Sequence, residues 1–254
     1  MRSVVLLVLL LAGTAVPGAD EAATWVQQAR AAALRGDSAA QIEAWSRAAE
    51  LYRQQGDKPA LGRALLRRGN TFHSAGNHRE AMRDLRLALQ TAREADDEAT
   101  ATSTLIALGN GYASTGRLEA AARSLDRALQ SARALGADGL QAGAVAAGAS
   151  LLSIRGQHDA ARLRYNDALD LARRASESFL TARILVALTR LEQRTGHPES
   201  ARTLATEALE ILAAEQDSRE KAYGLIALAG FASSDEVAAT AHDPADKALA
   251  YRVL

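Results

Sequence analysis

"LGNGYASTGRLEAAARSLDRAL", residues 108–129, is the stretch whose reading decides the fold. Gly109, Gly111 and Gly116 invite comparison with a phosphate-cradling loop. Such a loop follows a buried strand and opens a helix. Here no strand precedes the glycines, and the sister segments "GNTFHSAG" (69–76) and "GASLLSIRG" (148–156) lack their spacing. A nucleotide site is therefore set aside, and the glycines need another reason.

Gly116 has it. Gly36, Gly76, Gly116, Gly156 and Gly196 stand 40 residues apart, with no insertion between them. Five residues after the glycine come Ala81, Ala121, Ala161 and Ala201, with Gln41 as the exception. Nine after come Trp45, Leu85, Leu125, Tyr165 and Ala205. Twelve and thirteen after come pairs such as Ala88-Leu89 and Ala128-Leu129. Eleven before stand Trp25, Leu65, Leu105, Val145 and Leu185. These offsets step along one face of a helix on either side of the glycine. Each unit is thus helix, turn, helix, with glycine in the left-handed conformation that closes the first helix. A single hairpin of this kind leaves its apolar face open, so successive hairpins must stack. Gly111 has no counterpart in the other units.

Composition agrees. The 254 residues are rich in Ala and Leu, strong helix formers, and only 4% are aromatic. The expected class is all-α. Thirty basic residues balance thirty acidic ones, so no basic excess points to nucleic acid. There is no cysteine, which excludes disulfides, thiolate metal sites and cysteine nucleophiles.

The residues Leu105-x2-Leu108-Gly109-x2-Tyr112, then Ala121-x3-Leu125 and Ala128, resemble the tetratricopeptide-repeat signature, with Leu105 where tryptophan is usual. Phe72 and Ala81-x3-Leu85 repeat the match one unit earlier. The resemblance runs from about Ala22 to Leu254. The period is 40 instead of 34, and the proline that usually closes a repeat is missing except for Pro59. The resemblance implies a right-handed α-solenoid of about six helix-turn-helix repeats: 22–61, 62–101, 102–141, 142–181, 182–221 and a degenerate 222–254, in which Glu236 replaces the turn glycine. Similar long-period arrays occur in bacterial sensor and scaffold proteins and at the N-termini of CHAT-domain proteases. A CHAT catalytic domain needs cysteine, so this chain is not one. The alternative it leaves is the sensing array of a larger exported enzyme whose catalytic domain lies elsewhere.

Residues 1–19 read as an export signal, with Arg2 ahead of the apolar run "VVLLVLLLA" and the small residues of "GTAVPGAD" for cleavage. Residues 20–254 are then the solenoid, with 29 basic against 30 acidic residues, no integral membrane anchor, and a periplasmic or secreted location.

Other motifs dissolve into the repeat. "RGD" at 35–37 occupies the same turn as "AGN" and "TGR". His78, His158 and His197 follow turns in different units and have no metal-ligand spacing. No nucleophile elbow frames a serine. No catalytic residue, metal or cofactor is expected.

In the resembling family the first helices line a concave groove that takes an extended peptide or a partner's helix. Six residues before each turn glycine stand Arg30, Asn70, Asn110, Ser150 and Arg190; three before, His73 among others; two before, Ser74, Ser114 and Arg194. Asn70 and Asn110 match the family's backbone-binding asparagines. From thirteen to one residue before each of the five glycines there are nine arginines, including Arg63 and Arg67, and one acid, Glu192. The candidate binding residues are Asn70, His73, Ser74, Asn110, Ser114, Arg30, Arg63, Arg67, Arg190 and Arg194. The expected partner is a protein or peptide, acidic by this charge sorting, since arginine grips a carboxylate with paired hydrogen bonds. Self-association through the terminal repeats is left open.

Overall fold

The structure, a computed structural model, describes residues 19–214. Residues 1–18 of the assigned leader, the end of the fifth unit and the degenerate sixth unit lie outside the described residues. Ten helices follow one another: α1 (Ala19–Leu34), α2 (Ser38–Gln55), α3 (Lys58–Ser74), α4 (His78–Glu94), α5 (Glu98–Ser114), α6 (Leu118–Ala134), α7 (Asp138–Ile154), α8 (His158–Arg174), α9 (Ser178–Arg194) and α10 (Pro198–Ala214). Among the described residues there is no strand, and no helix is long and apolar enough to cross a membrane.

The 40-residue period resolves into two equal halves. From α3 to α10 every helix has 17 residues, and the same short turn joins each to the next. Left-handed residues recur every 20 positions: Gly36, Gly56, Gly76, Gly116, Gly136, Gly156 and Gly196 have φ of 62–81°, and Asp96 and Ser176 stand in the same place at 52° and 56°. In all nine turns the next residue donates its N–H to the carbonyl five residues back, at 2.9–3.1 Å. This pairing satisfies carbonyls that a helix end leaves open. The connection between repeats is therefore built like the turn within one, which is why no closing proline is needed. Asp37, Asp57 and Asp97 then cap the following helix, accepting from the N–H of Ala40, Ala60 and Thr100 at 2.9–3.0 Å. Burial alone would raise the Asp97 carboxyl, but hydrogen bonds from the Thr100 amide and hydroxyl, with Arg63 beside it, hold it below the ordinary aspartate value.

Ser176 is the turn residue least suited to its conformation, because its Cβ is crowded there and its side chain is not the Asp or Asn that tolerates this region. Ser176→Gly is expected to raise stability by about 0.5–1 kcal/mol, with the unfolded-state entropy of glycine offsetting part of the relief. A higher urea midpoint checks it. The same change at Asp96 should gain less.

Each helix packs on its chain neighbours, and the odd-numbered helices also touch along the array, α3 on α5, α5 on α7 and α7 on α9. The even-numbered helices make no comparable contact with one another among the described residues. The odd helices are thus the inner layer of a curved solenoid. Alanines set the distance between layers. Ala48, Ala88, Ala128, Ala168 and Ala208, all twelve residues after a turn glycine, are 0% exposed. Leu65, Leu85 and Leu185 are likewise fully buried, each contributing about 2 kcal/mol by leaving water.

Gly69 and Gly109 serve close helix approach. A Cβ at Gly109 would stand 2.5 Å from Leu125 Cδ2, and one at Gly69 would stand 2.9 Å from Leu85 Cδ2. Gly111, unmatched in the repeat, has a local cause: its Cβ would stand 2.8 Å from Met82 Sδ of α4.

Two buried carboxylates interrupt the apolar layer. Asp84 accepts from Arg68 Nε at 2.6 Å and Nη2 at 3.0 Å, and Arg68 Nη1 reaches Ser46 Oγ at 3.0 Å. Glu192 is held by Arg162 of α8 and lies 3.2 Å from His197 Nδ1. Arg68 stands where two other units carry a leucine, Leu108 and Leu188, and Asp84 is the reason it can.

Candidate peptide groove

The inner faces of α3, α5, α7 and α9 line a groove of ≈ 840 Å³. Arg67, Asn70, His73 and Ser74 come from α3; Ser103, Ile106, Ala107 and Asn110 from α5; Leu140, Gly143, Ala146 and Ser150 from α7; Phe179, Leu180, Arg183 and Arg190 from α9. Because the repeat is uniform, side chains in one register form rows across the groove. One row, six residues before the turn, runs Asn70, Asn110, Ser150 and Arg190, all four of which line it.

The candidate residues divide by place. Arg67, Asn70, His73, Ser74, Asn110 and Arg190 line the groove. Arg30, Arg63, Ser114 and Arg194 are not among its lining. Arg63 turns to Asp97 at 3.2 Å, Ser114 Oγ donates to the Gly111 carbonyl at 3.1 Å, and Arg194 reaches Ser153 Oγ at 2.5 Å. Arg30 is exposed on α1. Arg155, another of the nine inner-helix arginines, pairs with Glu119 at 2.7 Å.

From the rows nine, ten and thirteen residues before the turn, the groove also takes Ala107, Ile106, Ser103 and Gly143, rows that the sequence reading entered only through its arginines, Arg67 and Arg183 among them. They lie one and two helical turns upstream of the asparagine row, on the same face. The signal for these uncharged members was present in helical spacing.

The electrostatics are one-sided. Among the described residues, Arg67, Arg183 and Arg190 line the groove without a carboxylate partner, and no Asp or Glu is in its lining. The inner layer's expected acid, Glu192, is turned inward to Arg162. Burial, and secondarily the nearby His78, hold the His73 imidazole below its ordinary pKa, so it is neutral at pH 7 and adds no charge. Its Nδ1 is buried without a hydrogen-bond partner. Tyr165 closes the groove from α8 through a 2.7 Å hydrogen bond with Ser150, and burial pushes its phenol above the ordinary value. The lining therefore offers guanidinium donors and two uncommitted amides. Among the described residues, no three His, Cys, Asp or Glu side chains are grouped to hold a metal ion.

Residues 148–214 match the tetratricopeptide repeat family. Among solved structures, the Rap protein complexed with competence and sporulation factor is similar over 94% of this chain and 65% of its own, with a TM-score of 0.74 at 14% identity. NprR in complex with its cognate peptide NprX is similar over 82% of this chain and 59% of its own, with a TM-score of 0.68 at 17% identity. BtubC from P. vanneervenii is similar over 91% of this chain and 88% of its own, with a TM-score of 0.55 at 19% identity. The chain spans less than two thirds of the length of Rap and NprR, and these identities speak to fold alone. No curated protein matches the sequence. The match over residues 148–214 identifies that segment as tetratricopeptide repeat, and the five stacked hairpins with their shared 40-residue register form a solenoid of the same kind.

Proposed function

We propose that this protein is a non-enzymatic interaction scaffold that binds an acidic polypeptide segment in the groove of its inner helices. The observation that carries the reading is the set of three arginines, Arg67, Arg183 and Arg190, that have no carboxylate partner among the described residues, in a groove whose described lining holds no acid. Water satisfies these guanidinium groups when the groove is empty, and an incoming carboxylate replaces it with paired, charge-assisted hydrogen bonds. The fold supports the reading further, because stacked repeats present one continuous concave surface to a ligand. Rap and NprR, which share this fold, are described in complex with competence and sporulation factor and with a cognate peptide. We further propose that the protein works outside the cytoplasm, on the strength of the leader-like residues 1–19.

Fluorescence anisotropy with the full chain tests the groove. At low salt, a pool of acidic peptides is expected to bind more tightly than a neutral pool of equal length, with the difference shrinking as salt screens it. Arg190→Gln should weaken acidic binding about fivefold, the worth of one solvent-accessible ion pair. Arg127→Gln, on the outer helix α6, should change nothing. Equal binding of the two pools would refute the assignment.

A further inference from the structure

The charges of the groove stand at its two ends. In the row thirteen residues before the turn, Ser103 and Gly143 occupy α5 and α7, while α9 carries Arg183. In the row nine before, Arg67 stands on α3, and Ala107, Ala147 and Ala187 follow it across the other three helices. In the row six before, Arg190 stands on α9. The middle helices supply small or uncharged side chains only: Ser103, Ala107 and Asn110 from α5, Gly143, Ala147 and Ser150 from α7.

The separation of the ends follows from packing. Three direct helix contacts lie between α3 and α9. At about 9 Å per contact, the span is about 27 Å. An extended chain covers that distance in about eight residues, and an α-helix needs about eighteen. The uncommitted amide of Asn110 separates the two: it suits an extended backbone, whose N–H and C=O groups are free, where those of a helix are already paired.

Resting on the proposed peptide groove, we infer that it reads spacing: its ligand is an extended peptide with two carboxylates about eight residues apart, one on Arg67 and one on Arg190 with Arg183, and uncharged residues between. An acid in the middle of the peptide lies over α5 and α7, where the lining has no cation to receive it.

Two synthetic peptides of identical composition test this, both acetylated and amidated so that their ends carry no charge. One places aspartates at its two ends, separated by seven serine and alanine residues. The other places both aspartates side by side at its centre. With the full chain at low salt, the two-ended peptide is expected to bind about tenfold more tightly, as two ion pairs exceed none. Arg67→Gln should remove most of that advantage and leave the central isomer unchanged, with an unaltered melting temperature as the control for folding. Equal affinity of the two isomers overturns the inference and leaves an acidic-peptide groove standing. Binding of neither overturns both readings.

Discussion

Asp84→Ala is expected to destabilise the protein by about 3 kcal/mol. The Asp84 side chain is 1% exposed and Arg68 is 16% exposed. Alanine would leave the guanidinium inside the α3–α4 hairpin with Ser46 as its one remaining partner. An uncompensated buried charge is what makes breaking such a pair costly. The pair as a whole is a different matter, since its desolvation nearly cancels its attraction. The double change Arg68→Met with Asp84→Leu is therefore expected to return stability to within about 1 kcal/mol of the starting protein. Urea denaturation of the two variants checks both statements. A single variant that loses less than the double would contradict the account.

The second large effect is expected at Gly109. Gly109→Thr should cost about 2–3 kcal/mol, because its Cβ would meet Leu125 at 2.5 Å inside a packed hairpin. The chain itself contains the remedy. The same two registers hold Ala29 with Trp45, Gly69 with Leu85, Gly109 with Leu125, Ala149 with Tyr165 and Thr189 with Ala205. Where the first-helix residue grows to threonine, the second-helix residue shrinks to alanine, and both are buried. Leu125→Ala alone leaves a cavity and should cost about 2–3 kcal/mol. Combined with Gly109→Thr it should reproduce the fifth unit, so the two losses are expected to fall short of additive by about 2 kcal/mol. Strict additivity in the thermal and urea transitions would show that the two positions do not share one space.

These pairs also show how far the sequence was legible. The hairpin, its turn glycine and the stacking were readable because five copies hold the same residue types at the same offsets, and a helix repeats its faces every three to four residues. The 20-residue half-period was hidden. Two of its turns use Asp96 and Ser176 in place of glycine, and Gly56 and Gly136 fall in segments whose flanking residues differ. Gly111 was opaque for another reason: its neighbour Met82 is 29 positions away and belongs to the preceding hairpin. The groove was readable as a face, through Asn70, Asn110 and Arg190. Which arginines remain uncommitted was not, because Asp97, Asp84 and Glu119 reach Arg63, Arg68 and Arg155 from other helices. Long side chains choose partners across helix interfaces, and register alone does not report that choice.

The single kind of turn used throughout has a kinetic consequence. Among the described residues, no main contact joins helices more than two apart in the chain. Loop closure during folding is correspondingly short, and such low contact order belongs with folding in microseconds to milliseconds. Growth can start at any hairpin and spread by pairing with the next, and loss can proceed from either end by the reverse steps. A ligand held at once by α3 and α9 would bridge four hairpins that otherwise communicate only through their neighbours. Fraying of any one of them would then break a distant bond, so occupancy of the groove would slow amide hydrogen exchange along the whole segment it spans.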